Sequence, residues 1–98
     1  MSISYIEHKV YLYFDGPCLL SYVDTNNNYY LAVWIEEPSL YLFSKVSLKD
    51  LEILEDDKNL ICRDLFVNST HSFLYDVESK QIVKELQVIP EEYLPLND

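Results

Sequence analysis

A chain of 98 residues with 49% hydrophobic content and a formal charge of −10 is long enough to bury one core and too apolar to stay disordered, so a single domain over residues 1–98 is expected. Seven Lys and Arg against 17 Asp and Glu argue against direct nucleic-acid binding, since affinity for phosphates rests on cations. The one glycine, Gly16, rules out a glycine-rich phosphate loop, and charges interrupt every apolar run well short of the roughly 20 residues of a membrane span.

In chain order, the N-terminus lacks the basic start, apolar middle and cleavage site of a secretory signal, so a cytoplasmic protein without membrane contact is expected. Ile6, His8, Val10 and Leu12 then alternate with Glu7, Lys9, Tyr11 and Tyr13, the period of a half-buried strand whose tyrosines face outward. Asp15-Gly16-Pro17 breaks it. Residues 18–24 and 29–35 are two runs rich in aromatic and β-branched residues around Asp24-Thr25-Asn26-Asn27-Asn28, which predicts a hairpin whose turn relies on Asn and Asp. Glu36-Glu37-Pro38-Ser39 turns the chain again, and Leu40, Leu42 and Val46 alternate with Tyr41, Phe43 and Lys45 in a fourth strand.

At Ser47 the period changes. Ser47 is a helix cap, Asp50 lies near the positive end of the helix dipole, and Leu48, Leu51 and Leu54 form one apolar stripe on a helix that ends near Asp57. A second short helix is predicted from about Leu60 to Phe66. Phe73, Tyr75 and Val77, then Ile82, Leu86 and Val88 beyond the Glu78-Ser79-Lys80 turn, read as a closing hairpin. Pro90-Glu91-Glu92-Tyr93-Leu94-Pro95 reads as a turn of helix stopped by proline. The predicted class is α+β: an antiparallel sheet of about four N-terminal strands, one acidic helix, a short second helix and a C-terminal hairpin.

Residues that carry chemistry are scattered. His8, Cys18, Cys62 and His71 stand singly and far apart, without the close ligand pairs of a metal site. The two cysteines read as buried thiols rather than a disulfide. His8 reads as a core or sheet-edge histidine, His71 as exposed at a strand start, and Cys62 as packing among Leu60, Ile61, Leu65 and Phe66. No catalytic set, metal or cofactor is expected, and the chain reads as a binding protein rather than an enzyme.

Two features point to binding. Seven of nine tyrosines precede residue 49, and Trp34 joins them; this is either ordinary sheet packing or an aromatic contact face, with Tyr11, Tyr13 and Trp34 as its candidates. Residues 1–49 carry five acids and three bases, whereas residues 50–98 carry 12 acids and four bases, so the charge is lopsided. Asp50, Glu52, Glu55, Asp56 and Asp57 place five carboxylates in eight residues, about 12 Å of helix, over which duplex DNA carries about seven charges. Such a face is either a solvated surface or a mimic that holds a basic surface.

The segments Arg63-Asp64-Leu65-Phe66, Leu74-Tyr75-Asp76-Val77 and Pro90-Glu91-Glu92-Tyr93-Leu94-Pro95, with Gly16-Pro17-Cys18-Leu19-Leu20 and Tyr30-Leu31-Ala32-Val33-Trp34, resemble an uncharacterised family of small acidic bacterial and phage domains. The resemblance implies a fold and a microbial or viral setting, and no activity. The functional expectation is a stoichiometric inhibitor or neutralising partner, of antitoxin, immunity or phage counter-defence type, of a basic, nucleic-acid-binding protein. The alternative is an assembly subunit or accessory domain that binds through an aromatic sheet face or a strand edge.

Overall fold

The structure, a computed structural model, describes residues 3–13, 16–56 and 58–95, the side chains of 58–62 excepted. Six segments rich in aromatic and branched residues pair as strands: β1 (Tyr5–Tyr13), β2 (Pro17–Asp24), β3 (Tyr29–Glu36), β4 (Leu40–Val46), β5 (Ser72–Asp76) and β6 (Gln81–Leu86). Helices α1 (Leu48–Asp56) and α2 (Lys58–Val67) lie between β4 and β5, and a 3-10 turn occupies Glu91–Tyr93. Strand order follows chain order, β1-β2-β3-β4-β5-β6, and every pairing is antiparallel.

This overturns the predicted α+β class with a four-stranded sheet and a separate hairpin. About half the residues are strand and a fifth helix, so the fold is mostly β with one six-stranded antiparallel sheet. The physical reason is the β4–β5 seam. Leu40 pairs with Asp76, Leu42 with Leu74 and Ser44 with Ser72, and the seam is pinned by a 2.7 Å Ser44–Ser72 hydroxyl contact and a 2.5 Å hydrogen bond from Ser39 Oγ to Asp76 Oδ1. The two helices are thus an excursion over one face that returns the chain beside the strand it left.

The central strands are buried on both faces, so they read as continuous apolar runs rather than as alternation. Leu19, Leu31, Leu42 and Leu74 point to the helices and meet Leu51, Leu54 and Phe66. Leu20, Tyr22, Tyr30, Ala32, Tyr41, Phe43, Phe73 and Tyr75 point the other way and form a second core. No helix belongs to that second cluster, yet its members are each less than a tenth exposed. The sheet covers them by curling. In a flat sheet β1 and β5 would stand about 19 Å apart, four strand spacings, whereas the Tyr5 ring on β1 lies 4.9 Å from that of Tyr75 on β5, and 5.3, 5.6 and 5.7 Å from Tyr30, Phe43 and Phe73.

The β1 expectation fails in phase. Pairing with β2 slips between Glu7 and Lys9, between Val10 and Leu12 and between Leu12 and Tyr13, so one alternation does not run through the strand: Ile6 lies before the bulges, and Tyr11 is the extra residue of the second. Ile6 and Leu12, expected inside, are more than half exposed, while Tyr11, expected outside, is 9% exposed. The β2–β3 turn follows expectation. Asn27 takes a positive φ of 65°, and Asp24 Oδ1 accepts from the Asn26 and Asn28 amides at 2.8 and 2.9 Å. Its Oδ2 accepts from Asn28 Nδ2 at 3.2 Å and from the Tyr30 hydroxyl at 2.9 Å.

Burial opposes the Asp24 charge, but the hydrogen bonds from Asn28, Tyr30 and Asn26 prevail and hold its carboxyl below the ordinary value of 3.8. Its stabilisation is therefore full above pH 3.8 and lost as pH falls through the lower folded value. Asp24→Ala is expected to cost roughly 2–3 kcal/mol in urea unfolding, because it strands four donors at once. At the alkaline end, burial, with Glu7 adding to it, pushes the Tyr22 phenol from 10.0 up to about 12. The stability tied to the neutral phenol is complete below pH 10.0 and lost as pH rises through about 12. The difference in tyrosinate absorbance between the chain and its Tyr22→Phe variant, followed beside circular dichroism, should show Tyr22 ionising together with unfolding; a difference signal near pH 10.0 in the folded chain would contradict this.

Candidate functional site

The acidic helix is built as its sequence suggests and is largely occupied with itself. Ser47 Oγ accepts from the Asp50 amide at 3.0 Å and Asp50 Oδ2 accepts from the Ser47 amide at 3.3 Å, a reciprocal capping box. Glu55 forms an ion pair with Lys9 of β1. Leu51 and Leu54 are buried, but Leu48 of the expected stripe is exposed. Of the five candidate carboxylates, Asp50 is therefore a cap and Glu55 a cross-brace to the edge strand. Glu52 and Asp56 are exposed and have no hydrogen bond or ion pair among the described residues, and Asp57 lies outside the described residues.

The aromatic candidates separate. Tyr11 is part of the helix-side core, and its hydroxyl lies 3.2 Å from Ser21 Oγ, which also meets His8 Nδ1 at 2.9 Å. A serine beside a histidine has the outline of a nucleophile and base, but Ser21 is fully buried and shares its hydroxyl with Tyr11, so the contact serves packing. Tyr13, 73% exposed, sits at the end of β1. Trp34, 42% exposed, lies opposite Tyr41 across the β3–β4 pairing. Tyr11, Tyr13 and Trp34 do not form one patch with α1: Tyr11 faces inward, and Trp34 shares the aromatic face of Tyr41.

What the sequence did not bring forward is the company of Trp34. It lines a pocket of about 610 Å³ with Gly16, Pro17, Cys18, Glu37, Pro38 and Tyr41, at the end of the aromatic face where the β1–β2 and β3–β4 turns meet. The Tyr41 hydroxyl donates to the Pro17 carbonyl at 2.6 Å and fixes one wall. Burial raises the Tyr41 phenol, with Cys18 and Glu7 adding to it. The Trp34 ring stacks on no other ring and its indole N–H has no acceptor among the described residues. Two turns with Gly16-Pro17 and Glu37-Pro38 at the same end of neighbouring hairpins were the available signal.

A larger groove, of about 900 Å³, runs between α2 and the segment after β6. Its walls hold each other: Arg63 pairs with Glu91 and donates to the Pro95 carbonyl at 3.2 Å, and His71 Nε2 lies 2.8 Å from Glu85 Oε1. Among the described residues no three His, Cys, Asp or Glu side chains converge as a metal site would, and no helix is long and apolar enough to cross a membrane. The Cys62 side chain lies outside the described residues. Cys18 is half-buried, with its Sγ 3.5 Å from the Gly16 carbonyl.

If Asp50 is a cap, Asp50→Ala should destabilise the chain by about 1 kcal/mol in denaturant unfolding, whereas Glu52→Gln should change it by less than about 0.5 kcal/mol; equal effects would contradict the assignment. The chain matches no protein-family model, no curated protein and no solved structure, so its own geometry has to carry the functional reading.

Proposed function

We propose that this chain is a non-catalytic protein-binding domain that acts as a stoichiometric inhibitor or neutralising partner of a basic protein. The observation that carries the reading is the unspent negative charge. The described side chains of Glu7, Glu36, Glu37, Glu52, Asp56, Asp64 and Glu92 are exposed and have no cation or hydrogen-bond donor among the described residues. Lys9 and Arg63 are committed to Glu55 and Glu91. A field of this sign speeds encounter with a basic surface and repels nucleic acid. The capping role of Asp50 and the bracing role of Glu55 spread the functional charge beyond α1, to Glu52 and Asp56 on the helix and Glu37 at the aromatic end.

Strand edges favour a second reading, an assembly subunit. β1 and β6 each pair on one side only, and Ile82 and Val83 are exposed on β6, an arrangement open to strand addition. The two readings separate on salt. Combined Glu37→Gln, Glu52→Gln and Asp56→Asn should weaken binding to the co-purifying partner by about tenfold and flatten its salt dependence. An affinity and salt slope that stay unchanged, with binding lost instead on Val83→Pro, would contradict the neutralising reading and favour the edge.

A further inference from the structure

Resting on the basic-partner reading, we propose that the Trp34 pocket receives an arginine side chain presented by an extended segment of the partner protein. The pocket is aromatic on two sides, from Trp34 and Tyr41, and proline-walled by Pro17 and Pro38. Tyr41 is already held by its hydrogen bond to the Pro17 carbonyl, so that wall is ordered before any ligand arrives, which lowers the entropy cost of binding. Trp34 differs from the rings beside it. Tyr5, Tyr22, Tyr30, Phe43, Phe73 and Tyr75 pack on one another, whereas the indole is 42% exposed and meets no ring and no N–H acceptor among the described residues.

Charge selects the occupant. Glu37 lines the pocket and pairs with no cation among the described residues, and the Glu7 carboxylate is near enough to raise the phenols of both Tyr22 and Tyr41. No Lys or Arg lines the pocket among the described residues. An anionic ligand would be repelled, and a purely apolar one would gain nothing from the Glu37 carboxylate. A flat guanidinium stacks on an indole and meets a carboxylate in two parallel hydrogen bonds, which an ammonium cannot do equally well. The volume of about 610 Å³ leaves room for the flanking backbone, whose carbonyl can accept the Trp34 N–H.

Trp34 is the one tryptophan of the chain, so its fluorescence reads the pocket directly. Titrating the intact chain at constant ionic strength with end-capped Gly-Arg-Gly, Gly-Lys-Gly and Gly-Leu-Gly should give a saturable change for the arginine peptide. That peptide should bind more tightly than the lysine one, and at least about fivefold more tightly than the leucine one. Glu37→Gln should weaken the arginine peptide about fivefold, and Glu85→Gln, which removes the same charge from the far end of β6, should leave it within about a factor of 1.5. Equal binding of the leucine peptide, equal effects of the two substitutions, or no saturable change would overturn the assignment. If that happens while the partner complex still weakens with added salt, the pocket assignment falls and the basic-partner reading stands.

Discussion

The contact on which this molecule turns is Tyr5 of β1 laid against Tyr75 and Phe73 of β5. Antiparallel strands in simple sequential order make an open sheet, and an open sheet of this length has two faces to cover. The chain provides helices for one face only. The other is covered because the sheet bends until its first and fifth strands touch through aromatic rings, with Phe43 at the centre of the cluster, 4.7 Å from Tyr22, 4.9 Å from Tyr75 and 5.4 Å from Phe73. Rings of this size reach across a curl that Leu or Val could not span, and edge-to-face contacts add to the area they bury. The heavy use of tyrosine, which the sequence left open between packing and binding, is mostly an answer to this geometry.

Much of the secondary structure was legible because it rests on local chemistry. Ser47 and Asp50 announce a helix start through hydrogen bonds that span one turn, and Asp24 with Asn26, Asn27 and Asn28 announces a reversal through the positive φ that Asn tolerates. The sheet was not legible, since joining β5 to β4 depends on Ser44 meeting Ser72 across two intervening helices, a pairing no local pattern records. The phase of β1 was lost for another reason: bulges at His8 and Tyr11 interrupt the alternation, and a period-two pattern cannot show a residue left out of the count.

The same contrast holds for the site. Asp50, Glu52, Glu55 and Asp56 were found by counting charges along the chain, but counting does not tell a cap or a cross-brace from an available carboxylate. Trp34 was found as an aromatic residue, while its pocket depends on two turns that are distant in sequence and adjacent in space. Strand register makes that adjacency: Leu19 lies opposite Val33, and Trp34 opposite Tyr41. Trp34 stands exposed at the rim of the aromatic face and lines the pocket with Glu37.

We therefore propose that the partner seats at one end of the curled sheet, with Glu52 and Asp56 of α1 adding charge at longer range rather than contact. Hydrogen–deuterium exchange of the chain, alone and with the protein that co-purifies with it, tests this most directly. Exchange in the complex is expected to slow over residues 16–18 and 34–41. Slowing along β6 or along α1, with those two turns unchanged, would contradict it.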